Sequence, residues 1–333
     1  MFDIVTIGSA TGDAFLRGAE LISIKSKKFI TGEGICFSAG SKVEVSEIYF
    51  STGGGATNTA ITFSRQGLKT AAVFRIGKDQ AGEKILAELK KEKVDASFVQ
   101  FDYSFPTAYS VVLVKKDGER TILTYKGAIE KLTSWEVPWK KIKTKWLLLG
   151  SLGEEKDILK NFIEFALDNK INLAINPSGK ELRWLKNNPS WLKYFKIFIC
   201  NQEEASYLTD ISYQQEKKLF KKLDGLIEGI VAMTKGEKGV SVSNGKILWR
   251  AGVFKPTKTI DQTGAGDAFA SGFTSVFVKS NKFDEKAIEK AIRVGSINAA
   301  SVIKYIGPKK GILTLKELNE LMSRKFVIKK TVI

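Results

Sequence analysis

Between residue 145 and about residue 304 the chain alternates short apolar runs with amphipathic ones, and this rhythm constrains the fold more than any other feature. WLLLGS, INLAINPS, YFKIFICN and GIVAMTKG are runs of strand length that end in Gly, Ser or Asn. Their apolar residues are consecutive rather than alternating, so both faces of each strand must be buried. EKDILKNFIEFALDNK, EEASYLTD and EKKLFKKL lie among them and carry apolar residues at helical spacing. Strands buried on both faces and joined through helices belong to a parallel sheet covered by helices. GVSVSNGKILWRAG reads as a hairpin near the end of the series, and a helix spans about 285 to 304. The class is α/β, with a central, mostly parallel sheet.

The first half continues the pattern and then interrupts it. FDIVTIG and AAVFRIG read as buried strands, while TAITFSRQGL and QAGEKILAELKKEKV read as helices. Residues 14–50 differ: KVEVSEIYF alternates, as half-exposed antiparallel strands do. Residues 98–126 differ too, with TAYSVVLVKKDGERTILTYKG reading as a hairpin around Asp117-Gly118. These two segments are expected to form a small sheet outside the core of one domain spanning 1–333. No internal repeat or flexible linker divides the chain.

Composition removes several chemistries. The chain has no histidine, so a Ser-His-Asp triad, a Cys-His pair and a His-ligated zinc are excluded. Any general base must be Asp, Glu, Lys, Tyr or Cys. Two cysteines, Cys36 and Cys200, are too few for a disulfide framework. No apolar run reaches membrane-spanning length, and the start, which carries Asp3 and Asp13, lacks the basic region of a signal peptide. A cytoplasmic protein with no membrane partner is expected. The net charge is +17, yet only eight of the 53 basic residues are Arg, and the lysines are interleaved with acids along helical segments. That dispersal points to a solvated surface rather than a nucleic-acid face. The excess charge would still attract an anionic substrate such as a nucleotide.

Four constellations can carry chemistry. Gly53, Gly54 and Gly55 at a strand–helix junction let backbone approach a ligand, and Asn58 offers both a donor and an acceptor to hydroxyls. No Gly-Lys-Ser/Thr follows, so this is not a Walker loop. In DQTGAGDAFASGF, Gly264, Ala265 and Gly266 free backbone N–H groups at a helix start, which makes an anion site. Asp267 after them is either a helix cap or a base beside that anion hole. Asn201 and Glu204 follow a strand and bring hard oxygen ligands suited to Mg²⁺, or else an N-cap with first-turn acids. Thr234, Lys235 and Gly236 follow another strand, as a plain turn or a nucleotide contact in which Lys235 supplies charge.

In this order the four pieces resemble the ribokinase-like carbohydrate kinases of the PfkB family, over nearly the whole chain. TGGGATNTAITFSRQGLKTAAVFRIGKDQAGEKI is similar to the family's first signature, including the G-x-D-x-x-G segment at Gly77 to Gly82. DQTGAGDAFASGF is similar to the second, and Asn201 and Glu204 match its N-x-x-E element. The resemblance implies a ribokinase-like three-layer α/β/α fold with a β-sheet lid from 14–50 and 98–126. It implies an ATP-dependent kinase in which Asp267 is the base and the amides of Gly264, Ala265 and Gly266 stabilise the transferring phosphoryl group. Asn201 and Glu204 would organise Mg²⁺ and phosphates, and Asp13, Gly54, Gly55 and Asn58 would hold substrate hydroxyls. Thr234 and Gly236 would touch ATP, and Asn298 lies in the helix bordering the adenine pocket of similar enzymes. Asp261 stands where relatives place a monovalent-cation (K⁺) ligand. The lid would double as a homodimer surface. Three departures stand out: Gln262 replaces the usual Thr, the Gly53-Gly54-Gly55 run replaces a more common Gly-Gly-Lys or Gly-Gly-x pattern, and the 14–50 segment is longer than in a minimal sugar kinase.

The leading substrate is a sugar hydroxyl. The alternative is the ribose 5′-hydroxyl of a nucleoside, with Phe15, Phe37, Phe105 and Tyr109 as candidate walls for the base. A non-catalytic ligand or nucleic-acid binder on the same fold is the third reading. The intact Asp267, Gly-Ala-Gly run and N-x-x-E element argue against it.

Overall fold

The computed structural model describes residues 1–18, 22–27, 32–114, 120–254 and 259–333. Among these residues the apolar runs assemble into a nine-stranded sheet. Six strands are parallel, in the order Thr70–Val73, Ile4–Ile7, Trp146–Leu149, Asn172–Ile175, Phe195–Asn201 and Ile230–Thr234. Val240–Ser243, Ile247–Ala251 and Ile328–Val332 extend the sheet antiparallel.

The consecutive apolar residues of each parallel strand divide between two cores. In Trp146–Leu149, Leu147 and Leu149 join Phe162, Leu185 and Phe198 on one face. Trp146 and Leu148 join Phe273, Phe277 and Ile292 on the other. Period-two alternation thus buries both faces, and helices close each side, which is the three-layer α/β/α arrangement expected. Ile158–Asp168 and Gly179–Asn187 contribute to the first core. Ala265–Ser280 and Glu285–Val302 contribute to the second.

A separate four-stranded sheet, in the order Arg120–Tyr125, Ala108–Val114, Thr11–Arg17 and Glu47–Gly53, stands out from this body. It uses both segments that broke the rhythm, with different bounds. Its strand Thr11–Arg17 starts before residue 14 and carries Asp13. Ile22–Lys25 and Glu33–Cys36 pair only with each other. Gln100–Asp102 pairs with Arg75–Gly77 instead of joining the lid. AAVFRIG is accordingly two strands, since its second part leaves the main sheet. The turn expected at Asp117-Gly118 lies outside the described residues. The C-terminal edge strand, Ile328–Val332, had no sequence forecast; its largely exposed residues give no buried-strand signal.

Candidate active site

The carboxyl ends of the parallel strands all open on one edge of the sheet, where ligands of open α/β folds bind. Gly8 and Ser9 follow the first strand, Ser151 and Asn176 follow two others, and Asn201 and Thr234 end two more. The helix Ala265–Ser280 aims its N-terminus at this edge.

That helix begins at Gly264, whose φ of 79° is left-handed. A Cβ there would lie 2.4 Å from Pro308 Cβ, so only glycine fits both the backbone and the neighbour. Gly266, by contrast, faces open space. Asp267 is in the first helical turn and does not cap the helix; its Oδ2 accepts a hydrogen bond from Asn58 Nδ2 at 2.8 Å. Burial raises the Asp267 pKa above the ordinary carboxylate range, opposed by the Asn58 hydrogen bond and the charge of Lys309. Asn58 itself is buried, and its Oδ1 has no protein partner.

The glycine turn brings Asn58 to Asp267. Gly54 has φ 95°, and a Cβ there would lie 2.5 Å from Ala10 Cα and from the Ser9 carbonyl oxygen. Gly55 donates its N–H to Ser9 Oγ at 2.9 Å. A Cβ on Gly55 would be 3.6 Å from Asp267 Oδ1. Asp13 reaches the same turn from the lid: a Cβ on Gly53 would be 2.2 Å from its Oδ2. Thr11 Oγ1 donates to Asp13 Oδ1 at 3.0 Å, and burial raises the Asp13 pKa.

Two cavities flank the helix start. The smaller, about 250 Å³, is lined by Ser9, Gly55, Ser151, Asn176, Glu204 and Asp267, among others. The larger, about 510 Å³, is lined by Thr234, Gly236, Gln262, Ala265, Gly266 and the apolar side chains of Val253, Phe254, Phe269 and Ile303. The helix N-terminus forms a wall of both.

Asn201 and Glu204 form a reciprocal capping box. The Glu204 N–H donates to Asn201 Oδ1 at 2.9 Å, and the Asn201 N–H donates to Glu204 Oε2 at 2.7 Å. Glu204 nevertheless lines the smaller cavity together with Asp267, and burial raises its pKa. Among the described residues no group of three acidic or thiol side chains could hold a metal alone. Mg²⁺ fits here in the manner usual for it, on one carboxylate plus water and substrate phosphates.

Other expected residues are engaged elsewhere. Lys235 Nζ lies 3.1 Å from Glu216 Oε1, in a cluster with Arg250 and Ser241, and is not among the cavity-lining residues. Asn298 is fully buried and donates to the Ala268 carbonyl at 2.9 Å; its neighbours Ser296, Ala299 and Ala300 line the larger cavity. Asp261 accepts from Thr263 N, Thr263 Oγ1 and Gly307 N, which ties two turns together. Of the four aromatic residues considered for a base pocket, Phe15 is in the lid core, and Phe37 and Phe105 are exposed. Tyr109 covers Gly12, where a Cβ would be 2.7 Å from its ring, and feels the charge of Asp13.

Sequence reading missed Ser9, Ser151 and Asn176, although each follows a strand at its carboxyl end. It also missed Lys309. That lysine is 3% exposed, and its Nζ donates to Thr52 Oγ1 and to Glu88 Oε2 at 2.9 Å. Nothing local distinguishes it from the many surface lysines.

Comparison with known proteins shows a family and a shared fold. The profile of the pfkB family carbohydrate kinases matches residues 20–314. An uncharacterized sugar kinase of Archaeoglobus fulgidus is 28% identical over 261 residues, covering 75% of this chain and 97% of that protein. Ribokinase of Dictyostelium discoideum is 26% identical over 282 residues, covering 78% and 87%. Among solved structures, ribokinase from Giardia lamblia superposes with TM-score 0.79 at 21% identity, covering 97% of this chain and 99% of that one. A nucleoside kinase of Methanocaldococcus jannaschii superposes with TM-score 0.75 at 18% identity, covering 96% and 98%. With the profile matched over most of its length and the fold shared, the chain belongs to the pfkB family of carbohydrate kinases.

Proposed function

We propose that this kinase transfers the γ-phosphoryl group of ATP to a hydroxyl of a sugar, with Asp267 as general base. One observation carries the reading: the N-terminal turn of Ala265–Ser280 borders both cavities. Ala265 and Gly266 face the larger and Asp267 faces the smaller. An anion hole and a carboxylate on one turn can hold a phosphoryl group while a hydroxyl is deprotonated beside it.

The chain's own residues divide the work. Asn58 fixes the Asp267 carboxylate so that its other oxygen faces the cavity. Asp13, the free Oδ1 of Asn58 and the turn at Gly54 and Gly55 receive substrate hydroxyls. The N–H groups of Gly264, Ala265 and Gly266, with the helix dipole behind them, stabilise charge on the transferring group. Thr234, Gly236 and the apolar walls of the larger cavity accept the nucleotide. Bound Mg²⁺ would neutralise phosphate charge, and Glu204 with Asn201 would orient its water shell. Asp261 and Gly307 hold the turn where a monovalent cation would act. The lid, with Ile48, Phe50 and Leu123 exposed on it, is the surface through which two copies would pair.

A nucleoside ribose hydroxyl is the second reading, favoured by Tyr109 lying beside Asp13. An ADP-release screen of sugars and nucleosides, with and without K⁺ and Mg²⁺, tests both. Turnover on pentoses or hexoses supports the sugar reading, and turnover confined to nucleosides replaces it. No turnover on either panel removes the kinase assignment of the site.

A further inference from the structure

Lys309 is a charged group buried beside the site with no role in the chemistry above. Its exposure is 3%, so the ammonium has given up its water for protein partners. Its direct ionic partner, Glu88 on the helix Gln80–Lys91, has a side chain 31% exposed. An ion pair made only for stability could stand nearer the surface, where Glu88 already reaches.

The turn that carries Lys309 touches each part of the site. Gly307 donates its N–H to Asp261 at 2.9 Å. A Cβ on Gly307 would lie 3.0 Å from Ser51 Oγ, and Pro308 covers Gly264. Arg65 Nη1 donates to the Lys309 carbonyl at 3.2 Å. Thr52, which accepts from Lys309, pairs with Gly12 next to Asp13 and precedes Gly53 and Gly55. Along that backbone, the Gly53 position abuts the Asp13 carboxylate and the Gly55 position abuts that of Asp267. The two carboxylates thus flank one short turn, and burial opposes the ionisation of each. The charged groups acting on or near Lys309 are Glu88, Glu92, Asp13, Asp267 and Arg65, and Asp261 acts on Asp13. Burial lowers the Lys309 pKa, opposed by Glu88, and raises those of Asp13 and Asp267; the positive charge of Lys309 works against the rise in both.

We propose that Lys309 is a positioning residue for the reaction: its buried ammonium is the counter-charge that lets Asp13 and Asp267 be ionised together. Asp13 then accepts hydrogen bonds from substrate while Asp267 accepts the proton. This rests on the assignment of Asp267 as base.

The test compares Lys309→Met and Lys309→Arg with the wild type, using the sugar or nucleoside that the wild type phosphorylates. In Lys309→Met the acid limb of the kcat/KM profile should move up by about one pH unit, so that the loss well below the limb exceeds the loss well above it about tenfold. Lys309→Arg should retain the wild-type profile. A loss equal at every pH, or an unmoved limb, overturns the proposal and leaves Lys309 a structural ion pair. A second readout needs no turnover. With ¹³C-labelled aspartate, the Asp267 carboxyl should titrate at higher pH in Lys309→Met than in the wild type, and an unchanged midpoint also overturns it. Failure of the wild type on every substrate would bear on the kinase assignment alone, since the titration still decides the role of Lys309.

Discussion

Asp267 and the helix cap it was weighed against separate at the residue scale. A capping carboxylate would bond to backbone N–H groups of its own helix, whereas this one accepts from Asn58 on another helix. Asp267→Asn keeps the shape and removes the base, so kcat should fall by about 10²–10⁴-fold while nucleotide binding, followed by calorimetry, is unchanged. Near-wild-type turnover would remove Asp267 from the mechanism. The same variant should melt higher at pH 7 when unliganded. Burial raises the folded-state pKa of Asp267 above its unfolded value, so the native state binds the proton more tightly. Stability therefore falls as pH rises upward through the window between those values, and asparagine removes that loss. For the active enzyme the same shift places the acid limb of kcat/KM above the ordinary carboxylate range. A limb at the unperturbed value would mean that another group is limiting.

Elements decide what these residues can do. Gly54 is where a helix turns away from a lid strand, with φ 95° and backbone 2.5 Å from where a Cβ would stand. Gly54→Ala should cost at least about 1–3 kcal/mol in urea unfolding, since both the conformation and the contact exclude it. The N-x-x-E element serves two ends at once, as a capping box and as a wall of the cavity that Asp267 also lines. Glu204→Gln separates them. Its amide oxygen can still accept the Asn201 N–H, so stability should change by less than about 0.5 kcal/mol. The Mg²⁺ concentration for half-maximal activity should rise about 10–100-fold. Equal Mg²⁺ dependence in the variant would reduce Glu204 to its cap.

For the whole molecule, the small four-stranded sheet leaves several large apolar side chains uncovered. Glu47–Gly53 leaves Ile48, Tyr49 and Phe50 exposed, and Arg120–Tyr125 leaves Ile122, Leu123 and Tyr125 exposed. Residues from both faces of the pleat are uncovered, whereas closure over substrate would cover one face. Pairing of two copies would cover the other. Light scattering should then report a dimer for the wild type and a monomer for a Phe50→Asp, Leu123→Asp variant. A monomeric wild type would discard the lid as an interface.

The chain order alone determined the layered α/β body, because consecutive apolar residues in short runs have one economical burial, between two helical layers. It also determined which glycines and carboxylates stand near strand ends, since the motifs around Gly54, Asn201 and Asp267 are local. Residues 14–50 and 98–126 were legible as a departure from the body, yet their strand partners were not. Pairing between Thr11–Arg17 and Ala108–Val114 is a long-range choice that alternation does not encode. Lys235 read either as part of a plain turn or as a nucleotide contact, and only the folded chain shows its ammonium 3.1 Å from Glu216. Lys309 drew no notice among the many lysines, and folding buried it against Glu88 and Thr52. Charge in a sequence has a sign and no environment. Only the tertiary structure fixes the dielectric and the neighbours, and those decide whether a lysine is solvated, paired or set beside a reacting group.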